Sequence, residues 1–363
     1  MNYFNIFTSN TLAGSGNQCF FDADENTISK CRIFYKVFCG GEYAYSFLIS
    51  NIIDSTFEDG SVSYANLVIG EWKIHSAAVG VTDYCDYDSF NEPHEMLPIT
   101  CNGASDKVVK AGELCTTDAV LLDANEGEYI CVEIEYSGKR MPKHEESIIP
   151  SFVLNNGVWE PSKDHPYLSM VGCDRVVKSR VCFLGDSITQ GIGSTFNSYR
   201  HWCSVVADKL GQDYSYWNIG LGYARANDAA QDGMWLYKAK QNDIVFVCMG
   251  VNDLGRGFTA DQIKENLNKI VEKLTEAGCT VILQTVPPFD YQGEKITKWN
   301  EVNAFIKEEL SRKVYYLFDC VDVLKKSDDE PYMTVYGDHP NDEGCRLWGE
   351  ALADELLKLD IFK

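Results

Sequence analysis

The stretch Val181-Cys182-Phe183-Leu184-Gly185-Asp186-Ser187-Ile188-Thr189-Gln190-Gly191 is the most informative part of this chain. Its apolar first half predicts a buried strand, and Gly-Asp-Ser follows where that strand ends. In an open α/β sheet, ligands and reacting groups lie outside the carboxyl ends of the strands. The pattern therefore predicts that the Ser187 hydroxyl faces a cleft; the alternative role for a serine here is to cap the next helix.

From about residue 180 onwards, short apolar strands alternate with amphipathic helices. The strands are predicted at residues 181–184, 214–219, 244–249, 281–285 and 314–318. One long helix is predicted to end at Gly278, and the last helix is predicted to begin near Asp342. This alternation predicts an α/β fold, in which a parallel sheet carries helices on both faces.

Residues before about 175 differ, because apolar and polar side chains alternate there with period two. The clearest runs place apolar side chains at Tyr43, Tyr45, Phe47 and Ile49, and at Ile130, Val132, Ile134 and Tyr136. Such alternation predicts half-buried antiparallel strands and favours an all-β, jelly-roll-like sandwich. We therefore predict two domains: an accessory β-sandwich over residues 1–175 and an α/β domain over residues 176–363.

The chain has 363 residues, with 54 acidic and 32 basic side chains, and its formal net charge is -22. This charge argues against nucleic acid or an anionic membrane as a partner, because both would be repelled. The N-terminal residues lack a basic segment followed by an apolar run, and no stretch reaches about 18 consecutive apolar residues, so neither a signal peptide nor a membrane span is expected. The 14 cysteines include no Cys-x-x-Cys pair, which favours buried thiols in the reducing cytoplasm over a zinc site.

A serine hydroxyl becomes a good nucleophile only when a base takes its proton. The chain has six histidines, and of these only His201 and His339 follow Ser187. His201 precedes Trp202 at a predicted helix start, where capping or packing is expected. His339 precedes Pro340, which stiffens the loop and holds His339 in extended backbone. His339 is therefore the candidate base, although taken alone it would be interpreted as a surface-loop histidine.

Acyl transfer passes through a tetrahedral oxyanion, which several fixed hydrogen-bond donors must stabilise. The Ser187 N–H is one candidate donor, and the side-chain amide of Asn252, after another predicted strand, is a second. The glycines of the loop around Gly222 permit backbone conformations that aim an N–H inward. Because all three positions follow strand ends, we expect them at one edge of the sheet.

Four segments together resemble the SGNH, or GDSL-type, hydrolase superfamily: Gly185-Asp186-Ser187, Asn218-Ile219-Gly220-Leu221-Gly222, Gly250-Val251-Asn252-Asp253 and His339-Pro340-Asn341. The resemblance covers about residues 180–360. It implies a flavodoxin-like α/β/α domain, serine esterase chemistry, and no metal or organic cofactor. More loosely, residues 47–51, 108–113 and 117–118 look like the β-sandwich that precedes some bacterial GDSL hydrolases.

Carried over by position, the resemblance makes Ser187 the nucleophile and His339 the base. It places Asn252 and a backbone N–H of the turn at residues 222–223 in the oxyanion hole. In this chain Tyr223 stands where the family usually has a glycine. We expect its side chain to restrict the substrate to small acyl groups such as acetyl.

A second departure concerns the acid that orients the imidazole. The family's acid usually lies three residues before the histidine, and Tyr336 occupies that position. The nearest carboxylate is Asp338, but neighbouring side chains in an extended loop tend to point apart. Two arrangements therefore stay open: a triad that uses Asp338, or a Ser-His dyad whose imidazole is oriented by a backbone carbonyl or another acid.

Together these features predict a serine esterase that removes a short acyl group from a small-molecule ester through an acyl-enzyme on Ser187. An acylated carbohydrate is favoured by the family and by the 20 tyrosines and 7 tryptophans. One alternative is a lysophospholipase or thioesterase that acts on longer acyl chains. Another is a carbohydrate-binding protein that has lost catalysis. The sequence leaves the oligomeric state open.

Overall fold

The structure is a computed structural model that describes residues 2–16, 19–23, 25–54, 67–68, 70–143 and 148–363. Within these residues, antiparallel sheets extend up to Cys173, and one parallel sheet begins at Arg180. The predicted division near residue 175 falls in the connection between them.

The antiparallel part is a β-sandwich. One large sheet has the order β1-β16-β4-β10, with β11 also paired to β4, and the other has the order β15-β14-β3-β12-β7-β8, with β9 also paired to β7. Phe47 and Val132, one from each sheet, belong to the same apolar cluster, so the two sheets pack face to face. The strands are β1 Thr8–Ser9, β2 Cys19–Phe21, β3 Ser29–Lys36, β4 Gly41–Ser50, β5 Ile52–Ile53, β6 Leu67–Val68, β7 Trp72–Thr82, β8 Leu97–Ile99, β9 Lys107–Val109, β10 Leu114–Thr116, β11 Val120–Ala124, β12 Tyr129–Gly138, β13 Met141–Lys143, β14 Ser151–Asn155, β15 Val158–Pro161 and β16 Leu168–Cys173.

Strand β4 differs from the predicted half-buried strand, because its second half is buried on both faces. Phe47 and Ile49 pack into the sandwich core, as the alternation predicts. Leu48 of β4 and Met170 of β16 instead pack into the core of the α/β part. This sheet therefore lies between the other sheet and the α/β part, an arrangement that a period-two pattern does not reveal.

The α/β part has five parallel strands, in the order β18-β17-β19-β20-β21. This is the flavodoxin-like order, in which the first strand lies beside both the second and the third, so the predicted fold class is confirmed. All five predicted strands are present. Their bounds are β17 Arg180–Gly185, β18 Ser215–Asn218, β19 Ile244–Cys248, β20 Thr280–Gln284 and β21 Tyr316–Phe318.

The helices pack on this sheet, and their ends follow local sequence signals. Thr259 and Gln262 form a capping box at the start of α6, and Gly278 follows the helix with a φ of 88°. Within the described residues, no helix combines the length and the apolar character that a membrane crossing requires. The helices are α1 Ser187–Gln190, α2 Trp202–Leu210, α3 Ala226–Ala230, α4 Met234–Ala239, α5 Val251–Gly255, α6 Ala260–Glu276, α7 Glu294–Glu308, α8 Val321–Leu324 and α9 Asp342–Leu356.

Candidate active site

Ser187 lies at the carboxyl edge of the parallel sheet, directly after β17, which is flanked by β18 and β19. The capping role belongs to its neighbour Asp186, whose carboxylate accepts a hydrogen bond from the Ile188 N–H at 3.0 Å. Ser187 is the first residue of α1, where backbone N–H groups have no acceptor within the helix. Because Asp186 caps the helix, the Ser187 side chain is not used for capping. A Cβ at Gly185 would overlap Thr189, so only glycine permits this tight turn.

The partner of the Ser187 hydroxyl is His339, which the loop before α9 carries to the same edge of the sheet. The distance between Ser187 Oγ and His339 Nε2 is 2.8 Å, within the range that proton transfer to a general base requires. The His339 ring is half-buried, and Ser187 is 6% exposed. The structure thus joins a candidate nucleophile and a candidate base that lie 152 positions apart in the sequence.

A second serine–histidine pair shows why a short distance alone is not sufficient. Ser204 Oγ lies 3.0 Å from His201 Nε2, but both residues are 0% exposed. Burial lowers the pKa of His201 to about 4. Because a substrate cannot reach Ser204, this pair has the packing role predicted for His201. Of these two pairs, Ser187–His339 is the one that an external ester can approach.

The structure does not bring the Asp338 carboxylate to the His339 ring. Within the described residues, no ion pair within 4.0 Å joins these two side chains, and Asp338 is exposed. Burial lowers the pKa of His339 below its ordinary value, and the charge of Asp338 partly opposes that shift. Asp338 therefore influences the ring from a distance, which favours the dyad over the triad. Tyr336, at the family's acid position, supplies no carboxylate.

We expect Asp338→Asn to leave the plateau rate of ester hydrolysis nearly unchanged and to move the acid limb of the pH–rate profile to lower pH. The base must be neutral, so the rate falls as the pH drops through the pKa of His339. In the wild type, burial holds that pKa below its ordinary value, and removal of the Asp338 charge lowers it further. The measurement is kcat/KM as a function of pH.

Asp329→Asn serves as the control, because it removes one exposed carboxylate from the same region of the chain. Its pH profile should match that of the wild type. Loss of the acid cost about 10⁴-fold in kcat in a Ser-His-Asp triad. A loss of that size in Asp338→Asn would show that Asp338 orients the ring after all.

The candidate oxyanion turn follows β18 and is held against the nucleophile's strand. Leu221 donates its N–H to the Gly185 carbonyl at 3.0 Å, and the Ala224 N–H closes a turn onto the Leu221 carbonyl at 3.2 Å. Gly222 and Tyr223 are the two central residues of this turn, and Tyr223 has a φ of 59°. Glycine is favoured at the second central position when φ is positive, which explains the family's usual residue. Tyrosine adopts this conformation at a cost of about 1 kcal/mol or more.

Asn252 and Asp253 hold the segment after this turn. The Asn252 side-chain amide donates to the Ala224 carbonyl at 3.0 Å, and the Asp253 carboxylate accepts the Ala226 N–H at 2.8 Å. An asparagine amide has two N–H donors; one of them fixes the turn, and the other is the candidate donor to a substrate oxygen. The structure therefore joins two of the predicted donors, Asn252 and the turn that contains Gly222.

Two buried carboxylates accept hydrogen bonds from backbone N–H groups at the site, and each belongs to the sequence neighbour of a candidate catalytic residue. Asp186 caps the start of α1, and Asp253 accepts the first N–H of α3. Burial raises the pKa of Asp186 to about 7 and that of Asp253 to about 6, with a further increase from a neighbouring acid in each case. Within the described ranges, no three His, Cys, Asp or Glu side chains are grouped in a way that could hold a metal ion.

Phe289 also borders the site, and the sequence analysis did not identify it. Its ring meets the His339 ring edge-on, with centroids 5.5 Å apart and an angle of 74° between the planes. The Phe289 N–H donates to the Tyr332 carbonyl at 3.2 Å, which joins the two loops on this side. The position of Phe289 just after β20, at the same sheet edge as Ser187, is the signal that could have found it.

The α/β part is similar to known esterases and acylhydrolases. Residues 183–347 match the model of the GDSL-like lipase/acylhydrolase family. An arylesterase from Vibrio mimicus is 25% identical over 184 residues, which are 49% of this chain and 88% of that protein. The solved structure of an aryl esterase from M. smegmatis is 19% identical, covers 50% of this chain and 99% of its own, and has a TM-score of 0.41. That of a carbohydrate acetylesterase from Sinorhizobium meliloti is 20% identical, covers 49% and 98%, and has a TM-score of 0.39.

Proposed function

Because residues 183–347 match the model of the GDSL-like lipase/acylhydrolase family, we propose that the protein is a serine esterase that removes acetyl or another short acyl group, with Ser187 as nucleophile and His339 as base. The class, a serine hydrolase acting on ester bonds, is common to the family and to the arylesterase relative. The observation that carries the proposal is the 2.8 Å distance between Ser187 Oγ and His339 Nε2. It also argues against a binding protein that has lost catalysis.

In the proposed reaction, Ser187 Oγ attacks the ester carbonyl while His339 Nε2 takes the hydroxyl proton. The oxyanion is stabilised by the Ser187 N–H, by an N–H of the turn at residues 222–223 and by the free amide N–H of Asn252. His339 returns the proton to the leaving alcohol, which leaves an acyl-enzyme on Ser187. Water activated by His339 then hydrolyses this intermediate and restores the hydroxyl.

The preference for a short acyl chain rests on the bulk of two side chains, one in the candidate oxyanion turn and one in contact with the base. Tyr223 is half-buried in the oxyanion turn, where the family's glycine would leave open space. Phe289 lies edge-on to the base. Longer acyl chains need an apolar channel, which these bulky side chains oppose. A lysophospholipase or thioesterase is therefore the less favoured hypothesis.

We expect Tyr223→Gly to increase kcat/KM for p-nitrophenyl butyrate and octanoate relative to p-nitrophenyl acetate. The glycine removes the side chain and also accepts the φ of 59° without strain. A group the size of one methylene changes discrimination by about 1–3 kcal/mol, or roughly 10–200-fold. The measurement is the ratio of kcat/KM values across the ester series.

Tyr223→Phe is the matched control, because it keeps the ring and loses only the hydroxyl, so its chain-length profile should match the wild type. No gain on longer esters in Tyr223→Gly would mean that Tyr223 does not limit the acyl group. Wild-type rates that rise steadily from acetate to octanoate would favour the long-chain alternative.

We propose a carbohydrate as the alcohol part of the ester, on the strength of exposed aromatic side chains. Tyr87 of the sandwich is 60% exposed and contacts Phe196 edge-on, with centroids 5.6 Å apart. A tyrosine ring offers an apolar face and a polar hydroxyl, which suits a binding surface that is partly wet. The Vibrio mimicus relative is named an arylesterase, so phenyl acetate is the comparison substrate. A higher kcat/KM for acetylated xylose than for phenyl acetate would support the carbohydrate proposal, and the reverse order would favour aryl esters.

A cytoplasmic location remains part of the proposal, and cysteine usage supports it. The thirteen cysteines whose side chains are described are all buried and unpaired. Burial raises the pKa of the Cys279 thiol to about 11. Unpaired buried thiols are the usual pattern in a reducing compartment.

A further inference from the structure

Residues 191–200, between α1 and α2, connect the β-sandwich to the loop that carries His339. We call this segment the bridging loop. It contains no helix or strand, and three of its side chains form the connection: Thr195, Asn197 and Tyr199. Its arrangement matters because His339 has no carboxylate partner within ion-pair distance among the described residues.

At one end, the bridging loop packs directly on His339. Gly193 has a φ of 97°, and a Cβ at this position would lie 2.6 Å from the His339 carbonyl oxygen and 2.7 Å from its Cβ. Two residues later, Thr195 donates its N–H at 2.7 Å and its hydroxyl at 2.8 Å to the carboxylate of Asp342. Asp342 is the first residue of α9, three positions after His339. The bridging loop therefore contacts the His339 backbone and also fixes the helix that follows it.

At the other end, the bridging loop is attached to the sandwich through Asn197. The Asn197 side-chain amide donates to the Cys85 carbonyl at 2.9 Å and to the Tyr129 hydroxyl at 3.1 Å. Tyr199 adds a third hydrogen bond, because its hydroxyl accepts the Lys36 N–H at 3.3 Å. The three partners of these bonds, Cys85, Tyr129 and Lys36, all belong to the sandwich. The amide of Asn197 thus uses both of its N–H groups to hold the loop against that domain.

The backbone of the bridging loop shows that these contacts hold it in place. Asn197 and Tyr199 both have a φ of 53°, in the left-handed region that side chains other than glycine adopt only at a cost of about 1–3 kcal/mol. Such a conformation persists only where the surrounding contacts impose it. Loss of the contacts at Asn197 would let the loop relax, and Gly193 would then no longer support His339.

We propose that the β-sandwich positions the His339 imidazole through the bridging loop, and that Asn197 is the positioning residue where the loop meets the sandwich. The inference rests on the proposed role of His339 as base. In the family's usual pattern, an acid at the position of Tyr336 orients the imidazole. Here the sandwich takes over part of that orienting role. A base displaced by about 1 Å can cost about 100-fold in rate, so a contact distant from the reacting atoms can control kcat.

The test compares Asn197→Ala with Asn156→Ala in the full chain. Asn156 has the same residue type and a similar φ of 49° in the exposed turn between β14 and β15, so both variants place alanine in the left-handed region. We expect Asn197→Ala to lower kcat for p-nitrophenyl acetate by about 10–100-fold, with little change in KM. Asn156→Ala should leave kcat unchanged, although it places the same strain on the backbone.

A second readout does not depend on ester hydrolysis. The pKa of the His339 ring, measured by NMR titration, is expected to rise towards its ordinary value in Asn197→Ala, because a displaced ring becomes more exposed to water. It should stay unchanged in Asn156→Ala. If the wild type hydrolyses no ester but the pKa still moves, the positioning inference stands and the proposed function fails. If neither kcat nor the pKa changes in Asn197→Ala, the positioning inference is overturned.

Two further variants keep the inference testable if Asn197→Ala does not fold. Tyr129→Phe keeps the ring in place and removes one of the two acceptors of the Asn197 amide, so it should lower kcat in the same direction but less. Gly193→Ala places a methyl group against the His339 backbone. It should lower kcat and leave the structure of the sandwich unchanged. Wild-type kcat in both variants would contradict the proposed route through the bridging loop.

Discussion

Ser187→Ala is expected to lower kcat for p-nitrophenyl acetate by about 10⁶-fold, the loss measured when the nucleophile of another serine hydrolase is removed. The proposed reaction forms a covalent bond to Ser187 Oγ, and no other hydroxyl within the described residues is bonded to His339. The substitution should not disturb the fold, because Asp186 caps α1 and alanine is a good helix former at the position of Ser187. Stopped-time assays at high enzyme concentration would measure the residual rate.

Ser204→Ala is the matched control, since Ser204 also lies beside a histidine, at 3.0 Å from His201 Nε2, but is fully buried. This variant should retain wild-type kcat. A fluorophosphonate probe should label Ser187 in the wild type and in Ser204→Ala, and it should label nothing in Ser187→Ala. Equal rates in wild type and Ser187→Ala would overturn the proposed nucleophile, and a wild type that hydrolyses no ester would favour the binding-protein hypothesis.

Lys238→Met is expected to lower the free energy of unfolding by about 3–5 kcal/mol, because it leaves a buried carboxylate without its cation. Lys238 of α4 lies 2.7 and 2.9 Å from the two carboxylate oxygens of Asp54, and both side chains are 0% exposed. Asp54 follows β5 of the sandwich, so this ion pair joins the two parts of the chain. Methionine preserves the length of the apolar stem, and the lost charge is therefore the main change. Urea denaturation, followed by tryptophan fluorescence, measures the difference.

Lys240→Met provides the control two residues further along. Its partner Asp232 is 45% exposed and Lys240 itself 22% exposed, and a partly exposed pair contributes only about 0–1 kcal/mol. The double variant Lys238→Met with Asp54→Asn should recover part of the lost stability, because no charge is then buried without a partner. A loss in Lys238→Met no larger than that in Lys240→Met would show that water reaches the pair.

The sequence predicts the strands and helices of the α/β part well, because their signals are local. The apolar run before Gly185 and the periodic helix that ends near Gly278 both lie where the patterns place them. Local patterns do not fix where a strand ends, and the strands predicted at residues 214–219 and 314–318 are shorter in the structure. Period-two alternation identified β4 but not the burial of its second face, which depends on another part of the chain.

The candidate site divides in the same way. The positions after strand ends pointed to Ser187 and Asn252, and the stiff His339-Pro340 loop pointed to His339, because each of these signals is local. Nothing local indicated that Asn252 would bond the turn at Ala224. Nothing local indicated that Asn197 would bond the sandwich.

What the sequence by itself determined is the kind of fold and the chemical groups available, because hydrophobic periodicity and residue chemistry act over a few neighbouring residues. The tertiary structure alone decided which of those groups meet. It set the 2.8 Å approach of Ser187 to His339 and the buried pairing of Asp54 with Lys238. These outcomes depend on the order of strands in the sheet and on how loops pack across domains, and residues more than 150 positions apart carry no local record of them.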